Sequence, residues 1–95
     1  MAEDFNFKGC RILITGASGG IGKALAQELF NRGACVGMHY CKNKPAINDF
    51  VSVGNSNQKH RLRLFKADLM DLKAAEHLFK DFISWAGGID GLINN

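Results

Sequence analysis

The 95 residues suffice for one small domain, with a net charge of +3, 46% hydrophobic and 22% charged residues. That balance is ordinary for a globular chain and excludes disorder, while the positive excess is too small and too scattered to mark a nucleic-acid surface. A domain of this size buries only about 60–65% of its unfolded surface, so its core is modest.

Cys10, Cys35 and Cys41 form an odd set without C-x-x-C spacing, which predicts reduced thiols in a cytoplasmic protein. His39-x-Cys41 is the closest pair among the histidines and cysteines, and its spacing is not that of a metal site, so none is expected. The acidic start Met1-Ala2-Glu3-Asp4 leads into no long apolar run, and neither a signal peptide nor a membrane span is expected.

Cys10 to Thr15 is a short apolar run, as in a central parallel strand covered on both faces. After a glycine-rich stretch, a helix is predicted from Gly20 to Asn31. Its stripe of Ile21, Ala24, Leu25 and Leu29 is interrupted only by Glu28, and Gly33 ends it. Ala34 to Tyr40 is a second strand. Pro45 suits a first helical position, and a short helix through Ile47, Phe50 and Val51 is expected to stop at Gly54, before the polar linker 54–58. Arg61 to Phe65 alternates charged and apolar residues. This predicts a strand near a sheet edge, its arginines discouraging stray pairing rather than forming a nucleic-acid patch. Asp71 is a good N-cap for a helix in which Leu72, Ala75, Leu78, Phe79, Phe82, Ile83 and Ala86 repeat up to Gly87-Gly88. Ile89 to Asn95 begins a fourth strand.

The order β-α-β-α-β-α-β, with crossovers long enough for parallel connections, predicts the N-terminal half of a Rossmann-like, doubly wound parallel α/β sheet. Its strand order is 3-2-1-4, in one truncated dinucleotide-binding domain over residues 1–95. Strands one and four then flank the point where the winding reverses. Ligands of open α/β sheets bind there, outside the carboxyl ends of the strands, and Thr15–Gly22 and Asn94–Asn95 both fall at those ends.

The stretch Thr15-Gly16-Ala17-Ser18-Gly19-Gly20-Ile21-Gly22 therefore joins a buried strand to a helix whose first N–H groups are aimed at a phosphate. Gly16 lets the chain leave the strand tightly, Gly20 lets a ligand approach bare backbone, and Gly22 lets the helix pack close to the sheet. A merely flexible loop is the alternative, but such loops seldom sit between a buried strand and a periodic helix. The spacing is not G-x-G-x-x-G, because Ser18 stands at the second glycine position. Nor is it a Walker A loop, because Gly22-Lys23 is followed by Ala24. What remains is T-G-x-x-x-G-x-G.

At these residues the chain resembles the short-chain dehydrogenase/reductase family, and within it the 3-oxoacyl-[acyl-carrier-protein] reductases and sugar dehydrogenases. Two further stretches carry the resemblance. Ala67-Asp68-Leu69 looks like the family's acidic contact to adenine, although an Asp after a strand is also a common approach to a helix. Gly88-x-Asp90-x-Leu92-Ile93-Asn94-Asn95 is similar to the run that ends in Asn-Asn-Ala-Gly on the family's fourth strand. The resemblance implies an oxidoreductase with a nicotinamide dinucleotide. Gly16, Ser18, Gly19, Gly20, Ile21 and Gly22 would line the phosphates, Asp68 and Leu69 the adenine. Asn94 would steady the sheet, and Asn95 would lie along the ribose.

The end of the second strand bears on which cofactor this would be. A carboxylate there accepts from a ribose 2′-hydroxyl and repels a 2′-phosphate. The position that is acidic in NAD-preferring relatives is held by Tyr40, followed by Cys41 and Lys42, with Lys44 close behind. Charge complementarity thus favours NADP over NAD. Against it, Gly19 stands where the family often has an arginine, and a solvated turn also accounts for the two lysines.

The family's chemistry uses a serine and a Tyr-x-x-x-Lys pair, placed beyond the fourth strand. Tyr40 and Lys44 match that spacing formally, but they fall at the adenosine end, and Pro45 argues against the continuous helix that aligns such a pair. No catalytic residue is therefore expected within residues 1–95. Two functions remain open: the NADP-binding half of an oxidoreductase, inactive by itself, or a non-catalytic nucleotide-binding or self-associating module. In both, Leu92 and Ile93 sit on an exposed strand edge, and self-association through that strand is expected.

Overall fold

The computed structural model describes residues 6–17, 19–46 and 60–95. Ser18, the helix expected through Ile47, Phe50 and Val51, and the linker 54–58 lie outside the described residues. The elements are β1 (Arg11–Thr15), α1 (Gly20–Asn31), β2 (Cys35–Tyr40), β3 (Leu62–Lys66), α2 (Leu72–Ala86) and β4 (Gly91–Asn94). All strand pairs are parallel and the order is β3-β2-β1-β4, so the winding reverses between β1 and β4 as expected. The strands differ from the predicted spans by one or two residues. Cys10 is used in a turn, its N–H donating to the Phe7 carbonyl at 2.9 Å, before β1 begins.

Side chains alternate across β1, which gives each face of the sheet its own core. Ile12 and Ile14 join Val36, Met38 and Leu62 under Ala26, Leu29 and Phe30 of α1. Leu13 and Phe65 pack on the other face with Leu78 and Phe82 of α2. There Phe65, Phe82 and Trp85 form a triangle with ring centroids 5.8–5.9 Å apart. Gly37 makes room for it in the middle of β2, since a Cβ at that position would lie 2.6 Å from the Phe82 ring and 3.0 Å from Phe65.

The buried face of α1 is not the stripe the periodicity suggests. Gly22, Ala26, Leu29 and Phe30 are buried, whereas Ile21 and Leu25 are 78% and 38% exposed. The close seating of Gly22 on the loop before it sets the rotation of the helix and turns Ile21 and Leu25 outward. α2 follows its prediction better. Asp71 caps it through bonds from the Lys73 and Ala74 N–H groups, and Leu78 and Phe82 are buried, although Leu72 remains 75% exposed.

Two arginines tie distant elements together. The Arg11 guanidinium grips Asp90 through Nε (2.9 Å) and Nη2 (3.1 Å), and its Nη1 donates to the Gly87 carbonyl at 2.9 Å. The Arg11 backbone N–H also donates to Asp90 Oδ2, and the Asp90 N–H to the Arg11 carbonyl. The latch closes the amino end of the sheet, joining β1, the end of α2 and the approach to β4. Hydrogen bonds from Arg11 hold the Asp90 carboxyl at about 2, well below the ordinary carboxylate range. Arg61 does not protect the edge as expected. Its Nη1 donates to the Phe30 and Ala34 carbonyls at 3.0 and 2.8 Å, and its guanidinium lies 4.3 Å over the Phe30 ring, sealing the end of α1. Burial pushes the Cys35 thiol up, against the opposing influence of Arg61 and Arg11.

Two outcomes follow for stability. Truncating Phe82→Ala removes the fully buried corner of the aromatic triangle and should cost about 3–5 kcal/mol in denaturant unfolding; a loss below about 1 kcal/mol would mean that the triangle is not a packed core. Because Asp90 titrates lower in the fold than its ordinary unfolded value of about 3.9, its contribution is complete above that value. It fades as pH falls from about 4 towards about 2. An Asp90→Asn chain should be less stable at neutral pH, with a shallower decline through that acid window in thermal unfolding.

Candidate functional site

Because the strands are parallel, all their carboxyl ends meet on one side, opposite the Arg11–Asp90 latch. The chain leaves β1 at Thr15 and turns at Gly16, whose φ of +62° is a left-handed conformation suited to glycine. It enters α1 at Gly20. Gly22 is buried against this turn. A Cβ there would lie 2.7 Å from Asn95 Nδ2, 2.9 Å from the Gly16 carbonyl oxygen and 3.0 Å from Ala17 Cα. The helix therefore starts in contact with the loop and with the end of β4.

Hydrogen bonds fix this junction. The buried Thr15 hydroxyl donates to Asn94 Oδ1 at 3.0 Å and accepts from the Asn95 N–H at 3.3 Å. Asn95 in turn donates from Nδ2 to the Gly16 carbonyl at 2.8 Å. The two asparagines thus divide their work: Asn94 joins β4 to β1, and Asn95 braces the glycine loop.

His39, the penultimate residue of β2, lies beneath the same loop. The residue is 4% exposed, with Nδ1 3.1 Å from the Gly16 N and Nε2 2.8 Å from the Ala67 carbonyl oxygen. Its own carbonyl accepts from the Ala17 N–H at 2.8 Å. In the sequence, His39 stands out only as half of the His39-x-Cys41 pair, where no metal site is expected. The available signal was a lone polar residue in the apolar run of β2, one position before the strand's end.

The remaining candidates surround this framework. Gly19 is the N-cap of α1 and brings no side chain to accept from the first N–H groups, and the first turn holds no acidic residue. Gly19 and Gly20 have nothing within 4 Å of where a Cβ would stand, and Ile21 projects outward. Tyr40 is half-buried at the end of β2, followed by the exposed Cys41 and Lys42. Asp68 and Leu69 follow β3 and are exposed. The Asp68 carboxylate accepts from the Met70 N–H at 3.0 Å, so it shapes its own turn. The fold brings these residues to one rim, and Ser18 lies outside the described residues.

The two helix starts differ in chemistry. α2 satisfies its own N–H groups with Asp71. α1 opens on exposed glycine backbone with the positive end of its dipole towards solvent, a suitable place for a phosphate.

The comparisons agree with this geometry. Elsinochrome reductase 1 of Elsinoe fawcettii is 36% identical over 83 residues, covering 87% of this chain and 31% of that protein. The NADH-dependent reductase A1-R′, solved in complex with NAD, superposes with a TM-score of 0.77 at 34% identity, over 94% of this chain and 36% of that one. A short chain dehydrogenase from Burkholderia cenocepacia J2315, solved in complex with NADP, gives 0.74 at 30% identity, over 96% and 37%. The chain spans about a third of the length of the curated relatives it matches. Among the described residues, no helix is long and apolar enough to cross a membrane. The short chain dehydrogenase family model matches residues 11–95, from the first residue of β1 through the glycine turn to Asn95, and the chain belongs to that family.

Proposed function

We propose that the carboxyl rim of this sheet binds a nicotinamide dinucleotide, preferentially NADP, as the cofactor-binding part of an oxidoreductase. The observation that carries this reading is the start of α1: exposed glycine backbone, no capping side chain on Gly19 and no acid in the first turn. Gly16, Ser18, Gly19, Gly20, Ile21 and Gly22 would hold the pyrophosphate. Asp68 and Leu69 would bound the adenine, and Asn95 the ribose. The complexes of similar proteins with NAD and with NADP support the cofactor class.

The preference for NADP rests on the end of β2. Tyr40 occupies the position where a carboxylate would repel a 2′-phosphate, and the exposed Lys42 and Lys44 offer it ammonium groups. A bound nicotinamide supplies or accepts a hydride, and the reaction proposed for the whole protein is hydride transfer with a carbonyl or alcohol carbon. Tyr40 and Lys44 are assigned to the adenosine end and not to that chemistry. Cys10, Cys35 and Cys41 stand as free thiols, which supports a reducing, cytoplasmic setting.

A second reading, self-association, is favoured by β4. Among the described residues it pairs only with β1, and Leu92 on it and Ile83 of α2 are 48% and 43% exposed. We propose that two copies meet there. Sedimentation velocity should show a species that grows with concentration and shifts back to monomer in Leu92→Lys; a monomer at all concentrations would refute it.

The cofactor reading is tested by titrating the chain with NADPH and NADH while following nicotinamide fluorescence and thermal stability. NADPH should bind at least about fivefold tighter, and Lys42→Glu should abolish that difference. Gly20→Asp, placing a carboxylate at the start of α1, should weaken both by more than about tenfold. A folded chain that binds neither would leave the glycine turn as architecture only and favour the non-catalytic module.

A further inference from the structure

We propose that His39 is a positioning residue for the dinucleotide site: its neutral imidazole, protonated on Nε2, holds the glycine turn and the turn after β3 at a fixed separation. The inference rests on the cofactor reading above, since those two turns are the assigned phosphate and adenine walls. The hydrogen bonds define the tautomer. The Gly16 backbone N–H can only donate, so Nδ1, 3.1 Å away, must present its lone pair. The Ala67 carbonyl can only accept, so Nε2, 2.8 Å away, must carry the proton. A neutral imidazole of that one tautomer satisfies both neighbours.

The surrounding backbone gives the ring its leverage. The Ala17 N–H donates to the His39 carbonyl at 2.8 Å, and the Ala67 N–H donates to the Tyr40 carbonyl at 3.1 Å. Each turn is therefore anchored to β2 by its backbone and trimmed by the ring, which links Gly16 of one to Ala67 of the other. With His39 buried, water is poorly placed to substitute for either bond. Gly16 is also the residue whose carbonyl Asn95 braces, so the peptide groups on both sides of its Cα are held, one by β2 and one by the end of β4. Losing the bond to Nδ1 releases the phosphate wall. Losing the bond from Nε2 releases the adenine wall.

Two substitutions separate the walls. Asn places an amide oxygen near the position of Nδ1 and keeps an acceptor for Gly16. Gln reaches the position of Nε2 and keeps a donor for Ala67. Since the first N–H groups of α1 follow the glycine turn, affinity should depend mainly on the Gly16 bond. His39→Asn should bind NADPH within about threefold of the unsubstituted chain, and His39→Gln about tenfold more weakly. A side chain serving only as core filler would not order the variants this way.

The tautomer is read on the unsubstituted chain by long-range ¹H–¹⁵N correlation of the imidazole, which needs no variant to fold. Nδ1 should resonate as an unprotonated, pyridine-like nitrogen and Nε2 as a protonated, pyrrole-like one at neutral pH. The opposite tautomer, a doubly protonated ring, or equal NADPH affinity of the two variants would overturn the positioning role while leaving the cofactor reading standing. Failure of the unsubstituted chain to bind either NADPH or NADH would overturn the cofactor reading, and the positioning role with it.

Discussion

The contact between Gly22 and the end of β4 is the constraint from which the site's geometry follows. No side chain fits between the α1 backbone, the Gly16 carbonyl and the Asn95 amide, where a Cβ would stand 2.7–2.9 Å from its neighbours. That approach seats the helix over the reversal between β1 and β4. It turns Gly22, Ala26 and Phe30 inward and leaves Ile21 and Leu25 outside. The exposed helix start and the choice of core-facing residues are thus two results of one steric condition.

The sheet uses its two ends differently. At the amino end, Arg11 and Asp90 satisfy each other with side-chain and backbone bonds, leaving little polar capacity for a ligand. At the carboxyl end, hydrogen bonds run inward, from Thr15 to Asn94, from Asn95 to Gly16 and between His39 and both turns, so the outer face of the glycine backbone remains presented to solvent. Internal bracing of this kind lowers the ordering cost of any binding at such a rim.

Local pattern made most of the frame legible in the sequence. The apolar runs of β1 and β2, the Asp71 cap, the repeat of α2 and the lengths of the connections were enough to give the parallel order 3-2-1-4, and the glycine spacing located the rim. What stayed hidden depends on partners far away in the chain. Arg61 looked like edge charge because its acceptors, Phe30 and Ala34, are about thirty residues earlier. His39 carried no role in the sequence pattern because Gly16 and Ala67 meet it only through the sheet. The face of α1 was misread for a related reason: hydrophobic periodicity assumes that the largest apolar residues choose the buried side, whereas a backbone contact at a residue without a side chain chose it here.

The same distinction bears on cofactor preference. On the proposed reading, the glycine turn and its braces would meet what NAD and NADP share, a pyrophosphate and an adenosine. Likeness across the whole fold therefore reports that shared part, and similar chains with comparable superposition carry either cofactor. The two cofactors differ by one phosphate on one ribose hydroxyl, and the parts of the rim assigned to meet it are the end of β2 and the turn after it. A decision of that kind is made by a few side chains at short range, where one carboxylate or one ammonium group changes the sign of the local field. Tyr40, Cys41 and Lys42 occupy that stretch without a carboxylate among them. The proposed preference for NADP accordingly depends on these residues and Lys44, and not on the hydrogen bonds that shape the rest of the site.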